Sequence, residues 1–153
     1  MNIFSYILAL FTSVGAMTMF SLIMSVISNC EFRENILLSK LMSGHSLNEK
    51  ESLKYVILGW LAHFFLGGFF LVIYTYLWYN TALLQHALGS ILFGIIIGIL
   101  GILGWTMLFK MASNPPQINY KIYYIQLIVA HIHFSLGNFL IFSLLGYEPS
   151  MLF

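Results

Sequence analysis

The sequence predicts an all-α integral membrane protein, a bundle of four transmembrane helices, on three observations. First, 60% of the 153 residues are hydrophobic and only 7% are charged, with a mean hydropathy of +0.92. Soluble domains carry about 25% charged residues, so eleven charges could not cover a water-facing surface of this size. Second, four apolar segments, about 3–29, 55–79, 84–109 and 122–147, contain no Lys, Arg, Asp or Glu. Each reaches the roughly 20 residues that a helix needs to cross a hydrocarbon core of about 30 Å. Backbone in lipid satisfies its hydrogen bonds only in helices or closed barrels, and these runs are too long and uniform for alternating barrel strands. Third, all six basic residues fall on one side. Arg33, Lys40, Lys50 and Lys54 lie between spans one and two, and Lys110 and Lys121 flank the loop between spans three and four. Basic loops stay cytoplasmic, which predicts a multi-pass bacterial inner-membrane protein with both termini on the non-cytoplasmic side.

The first span follows an N-terminus, Met1-Asn2-Ile3-Phe4, that lacks the basic region and small-residue cleavage site of a signal peptide, so it is expected to stay in the mature chain. Cys30 closes it and is the only cysteine, which rules out an internal disulfide. In the loop, Phe32, Ile36, Leu37, Leu41 and Met42 recur at near-helical spacing. They predict a short amphipathic helix lying on the membrane surface, stopped by Gly44. Ser46-Leu47-Asn48-Glu49 reads as a capping box that starts the second helix near Leu47. Trp78 and Tyr79 mark the far interface, and the short turn after them makes spans two and three antiparallel neighbours. Span three carries a small-residue track, Ser90, Gly94, Gly98, Gly101 and Gly104, expected to pack against span one or another subunit. Asn114-Pro115-Pro116 breaks the chain before span four. Residues 1–153 form a single transmembrane domain.

Spans two and four share His-Phe-x-Leu-Gly-x-Phe, at His63 to Phe69 and His133 to Phe139. With the weaker echo of Thr18-Met19 in Thr106-Met107, this suggests two parallel helical-hairpin repeats. Gly59-Trp60-Leu61-Ala62-His63 with Tyr74, Gly104-Trp105 and the Pro115-Pro116 loop resembles small four-helix bacterial inner-membrane proteins of unknown function. The resemblance covers most of the chain and implies the topology; it implies no activity and no catalytic residue.

Ionisable side chains inside a membrane are the first functional candidates, and here they are histidines. His63, His131 and His133 lie near the midplane, with Gly67 and Gly137 four residues after His63 and His133. Imidazoles from two helices could hold a b-type haem between them, using His63 with His131 or His133. They could equally hydrogen-bond neighbouring helices, as could the stripes Thr18, Ser21, Ser25, Ser28 and His131, Ser135, Asn138. His86 is expected at the outer interface and His45 in solvent. The chain has no Asp, and its five Glu lie outside the spans, so carboxylate-pair, triad and Glu-x-x-His metal chemistry are not expected. Net charge +1 argues against nucleic acid as a partner.

The leading expectation is a non-enzymatic accessory or scaffold subunit of a larger membrane complex, with lipid and other membrane subunits or further copies as partners and no firmly assigned cofactor. A bis-histidine haem b protein for electron transfer is the alternative, and a small-solute transporter or channel the second.

Overall fold

A computed structural model describes residues 2–44, 46, 50 and 52–146. The predicted bundle is present. Four long helices are α1 (Ile3–Ser28), α3 (Leu53–Asn80), α4 (Ala87–Met111) and α5 (Tyr120–Leu144), with the short α2 (Glu34–Ser43) between the first two. All four long ones are apolar and long enough to cross a membrane, which makes the chain a multi-pass membrane protein. Helix ends follow local chemistry. Asn2 Oδ1 accepts from the Ser5 amide at 2.9 Å, and Asn119 Oδ1 from that of Ile122 at 3.2 Å, satisfying amides that have no partner within the helix. Gly44, at φ 72°, ends α2 as expected, in a left-handed conformation that glycine adopts without strain. Ser52 precedes the first turn of α3, so that helix begins six residues later than the sequence suggested. The capping box at residues 46–49 and His45 fall largely outside the described residues.

The helices are not equivalent partners. α5 is central, packed along α1 on one side and α4 on the other. α3 packs chiefly on α2 and more lightly on α1. Successive helices α3 and α4 meet near their connecting turn, where Tyr74 Oη and Ser90 Oγ lie 2.7 Å apart and the Tyr74 ring meets Phe93 edge-on. Toward the basic end a cavity separates them, so they are antiparallel neighbours for only part of their length.

Three expectations change at this level. α2 does not lie on the surface. Glu34, Asn35, Leu37, Leu38, Ser39 and Lys40 are all buried; α2 packs on α3 and is tied to α1 through Glu34 and Ser21. A Cβ at Gly59 would collide with the Asn35 carbonyl oxygen, so the absent side chain is what lets α2 seat against α3. Trp78 is not an interfacial anchor either: only 4% exposed, it packs on Phe139 and Phe142 of α5. Lastly, the glycine track of α4 meets α5 at Gly94 and Gly98, where span one or another subunit was expected. Cβ atoms at Gly94 and Gly98 would stand 2.6 and 2.8 Å from the Cα atoms of Ile132 and Ile128, while one at Gly104 would meet nothing within 4 Å.

The repeated motif has a local explanation. Gly67 of α3 lies against Val14 of α1, and Gly137 of α5 against Ser13. His63 reaches Thr18 of α1, while His133 stacks on Phe20 at 4.5 Å between centroids. The echo therefore marks where α3 and α5 each meet α1. The two hairpins themselves differ, because α2 enters only the first.

Alanine at Gly94 or Gly98 should push α4 from α5, lowering stability by about 1–3 kcal/mol, the usual cost of overpacking. Gly104→Ala should cost nothing. Thermal unfolding of the three variants in one lipid environment measures this; equal losses at all three positions would contradict the packing described.

Candidate functional site

Between α3 and α4 lies a cavity of about 170 Å³, lined also by α1, α2 and α5. Its walls are apolar: Val14 and Met17, Leu66 and Phe70, Leu100, Trp105 and Phe134. Polar groups enter at three points, His63 from α3, His131 from α5 and Glu34 from α2. Leu66, Leu100 and Leu108 line the cavity and are also 41–52% exposed on the bundle's outer face. In a membrane that face meets acyl chains, so the cavity opens sideways toward lipid.

The carboxylate is the residue that sequence reasoning missed, having counted every Glu outside the spans. Glu34 is 2% exposed. Its Oε1 accepts from Ser21 Oγ at 2.9 Å, and that oxygen in turn accepts from Gln126 Nε2 at 2.6 Å. Ser21 stands seven residues inside the end of α1, about 10 Å at 1.5 Å per residue, so the carboxyl group is well within the bundle. Glu34 Oε2, Gln126 Oε1 and Tyr123 Oη have no hydrogen-bond partner among the described residues. Arg33, adjacent in sequence, is held by Glu31 at 2.6 and 2.8 Å. One signal could have revealed the site. Gln126 is an amide in the first two turns of an apolar span, and such a group needs a buried partner.

The histidines separate into two environments. His63 and His131 line the cavity, whereas His133 is turned to α1 with its Nδ1 on the Val129 carbonyl at 2.8 Å. Of the two pairs considered for a haem, the structure brings only His63 and His131 to one space. Thr18 Oγ1 donates to the Val14 carbonyl at 2.8 Å, so toward His63 Nε2, 3.1 Å away, it offers a lone pair. In its neutral form the His63 ring therefore carries hydrogen on Nε2. His131 Nδ1 lies 2.8 Å from the Leu127 carbonyl and must donate to it, leaving Nε2 as the acceptor. That edge faces α4: a Cβ at Gly101 would stand 3.4 Å from Nε2. Among the described residues neither His63 Nδ1 nor His131 Nε2 has a hydrogen-bond partner. His86 is exposed at the N-cap of α4, consistent with an interfacial place.

The hydroxyl stripes act as glue between helices. Ser13 donates to Asn138 Oδ1 at 2.6 Å, and Ser135 to the Ser90 carbonyl at 2.6 Å. Ser25 instead accepts from the Phe32 amide at 2.9 Å, which steers the chain back into the bundle after α1. No protein family, curated protein or solved structure matches the chain.

Burial pushes the Glu34 carboxyl up from its ordinary 4.5 to about 7, with Glu31 adding to the rise while Ser21 and Gln126 oppose it. A raised value means that the folded chain favours the protonated acid. That contribution is complete below 4.5 and is lost as pH rises through about 7. Thermal stability should therefore fall across this window, and Glu34→Gln should flatten the fall. The infrared carbonyl band of a neutral carboxylic acid should disappear over the same range in the native chain and be absent from the variant. A band fully lost near the ordinary value would contradict the burial.

Proposed function

We propose that this protein is an intramembrane binding protein, which holds a small lipid-soluble molecule in the cavity between α3 and α4. The observation that carries this reading is the cavity itself: apolar walls, a lipid-facing side, and three ionisable side chains at its inner surface. Binding sites have this general composition, mostly apolar with a few converging polar groups. In packed helical interiors such voids are otherwise filled, because lost contacts destabilise. The reading takes the basic end as cytoplasmic and both termini as non-cytoplasmic, in a bacterial inner membrane, on the distribution of the six basic residues.

A haem suits the geometry less well. His63 Nε2 already engages Thr18, and a space of about 170 Å³ is the size of one ring rather than a macrocycle. An accessory role beside other membrane subunits drew support from the glycine track, whose Gly94 and Gly98 are occupied by α5. The apolar exterior is equally suited to lipid. A transport path would call for a polar seam, whereas the walls between α3 and α4 are apolar.

Toluene is the simplest probe. In lipid nanodiscs it should raise the melting temperature of the native chain by a few degrees through mass action. Gly104→Leu should abolish that shift while folding normally, since Gly104 lines the cavity and its Cβ direction is open. No shift in the native chain, or equal shifts in both, would refute the reading.

A further inference from the structure

Taking the cavity as a ligand site, we infer that its ligand carries a hydroxyl on a six-membered ring, a lipid-soluble phenol of simple or hydroquinone type whose tail leaves between α3 and α4. Size sets the ring. An engineered apolar cavity of about 150 Å³ takes up benzene, and this one has about 170 Å³. Phe70, Phe134 and Trp105 give it aromatic walls, which favour a flat ring over a lone alkyl chain. A tail has an exit, because Leu66, Leu100 and Leu108 border the cavity and lie on the lipid face.

The hydrogen-bonding inventory sets the head group. His131 spends its Nδ1 hydrogen on the Leu127 carbonyl and presents Nε2 as a lone pair. His63 spends its Nε2 hydrogen on Thr18 and keeps Nδ1 as a lone pair. Both rings thus call for a donor. Glu34 Oε2, buried and without a partner among the described residues, accepts when ionised and donates when protonated. A ketone or ester has no hydrogen to give the imidazoles, and an ammonium has no lone pair to take the hydrogen of a protonated acid. A hydroxyl has one hydrogen and two lone pairs: it donates to one imidazole while accepting from the protonated acid, or donates to the carboxylate once the acid is ionised, so it finds a partner in either state. Leaving such buried groups unpaired is costly, which is what turns this inventory into selectivity.

The test compares toluene, 4-methylphenol and 4-methylanisole on the full chain in nanodiscs, with concentrations corrected for partition into lipid. These probes share a methyl-substituted benzene ring and differ in the head group: none, a hydroxyl, and an ether that only accepts. 4-Methylphenol should bind about tenfold tighter than toluene, roughly the effect of one added hydrogen bond to a buried polar group. 4-Methylanisole should gain no such advantage. His131→Phe, which keeps a ring but no lone pair, should erase most of the phenol's advantage while toluene still binds. Glu34→Leu should do the same, and toluene binding reports whether each variant retains its cavity. If the phenol binds no better than toluene, or keeps its advantage in both variants, the head-group assignment is overturned while the cavity reading stands. If none of the three probes binds the native chain, both fail.

Discussion

Three helices are joined through one serine oxygen. Ser21 Oγ on α1 accepts from Gln126 on α5 and donates to Glu34 on α2, at 2.6 and 2.9 Å. In a lipid-surrounded bundle there is no water to take over such bonds, so each of these groups depends on the other two. This is what lets a helix bearing a carboxyl group sit inside an apolar bundle. With α2 in place, α3 packs against it and away from α4, and the space left between α3 and α4 is the cavity.

The remaining polar contacts supply register more than strength. Bonds between transmembrane helices are worth about 0.6–2 kcal/mol each, so Ser13 to Asn138 and Ser135 to the Ser90 carbonyl fix alignment without dominating stability. Close approach comes from glycine: Gly94 and Gly98 bring α4 onto α5, Gly137 brings α1 onto α5, and Gly59 admits α2. Gly101 and Gly104 lie on the same helix as Gly94 and Gly98 but border the cavity instead. One small-residue track thus changes from packing surface to site wall along its length.

The parts of this structure governed by hydropathy were legible in the sequence. Four spans, the helical loop segment and its stop at Gly44 all follow from runs of apolar residues and from the one residue type that turns left-handed easily. The location of α2 was not legible, because an amphipathic period says that one face is buried without naming what buries it. Lipid surface and bundle interior are alike in that respect. Trp78 was misplaced for the same reason: an indole near a helix end suits the interface or a core pocket, and only Phe139 and Phe142 decide between them. Among the histidines, the helix that carries each was readable but the facing was not. His131 and His133 are two residues apart and point to different helices, one into the cavity and the other onto Phe20. Gln126 was the overlooked clue, an amide whose need for a partner pointed to a polar group outside the spans.

The account rests on a carboxyl group held inside the bundle, and magic-angle-spinning NMR of the chain in lipid bilayers measures this directly. With Glu34 and Gln126 labelled, the Glu34 carboxyl carbon should correlate with side-chain nuclei of Ser21 and Gln126, and only weakly with water or lipid head-group protons. Strong correlations to water and head groups, with none to Ser21 or Gln126, would put α2 back on the membrane surface and contradict the architecture described.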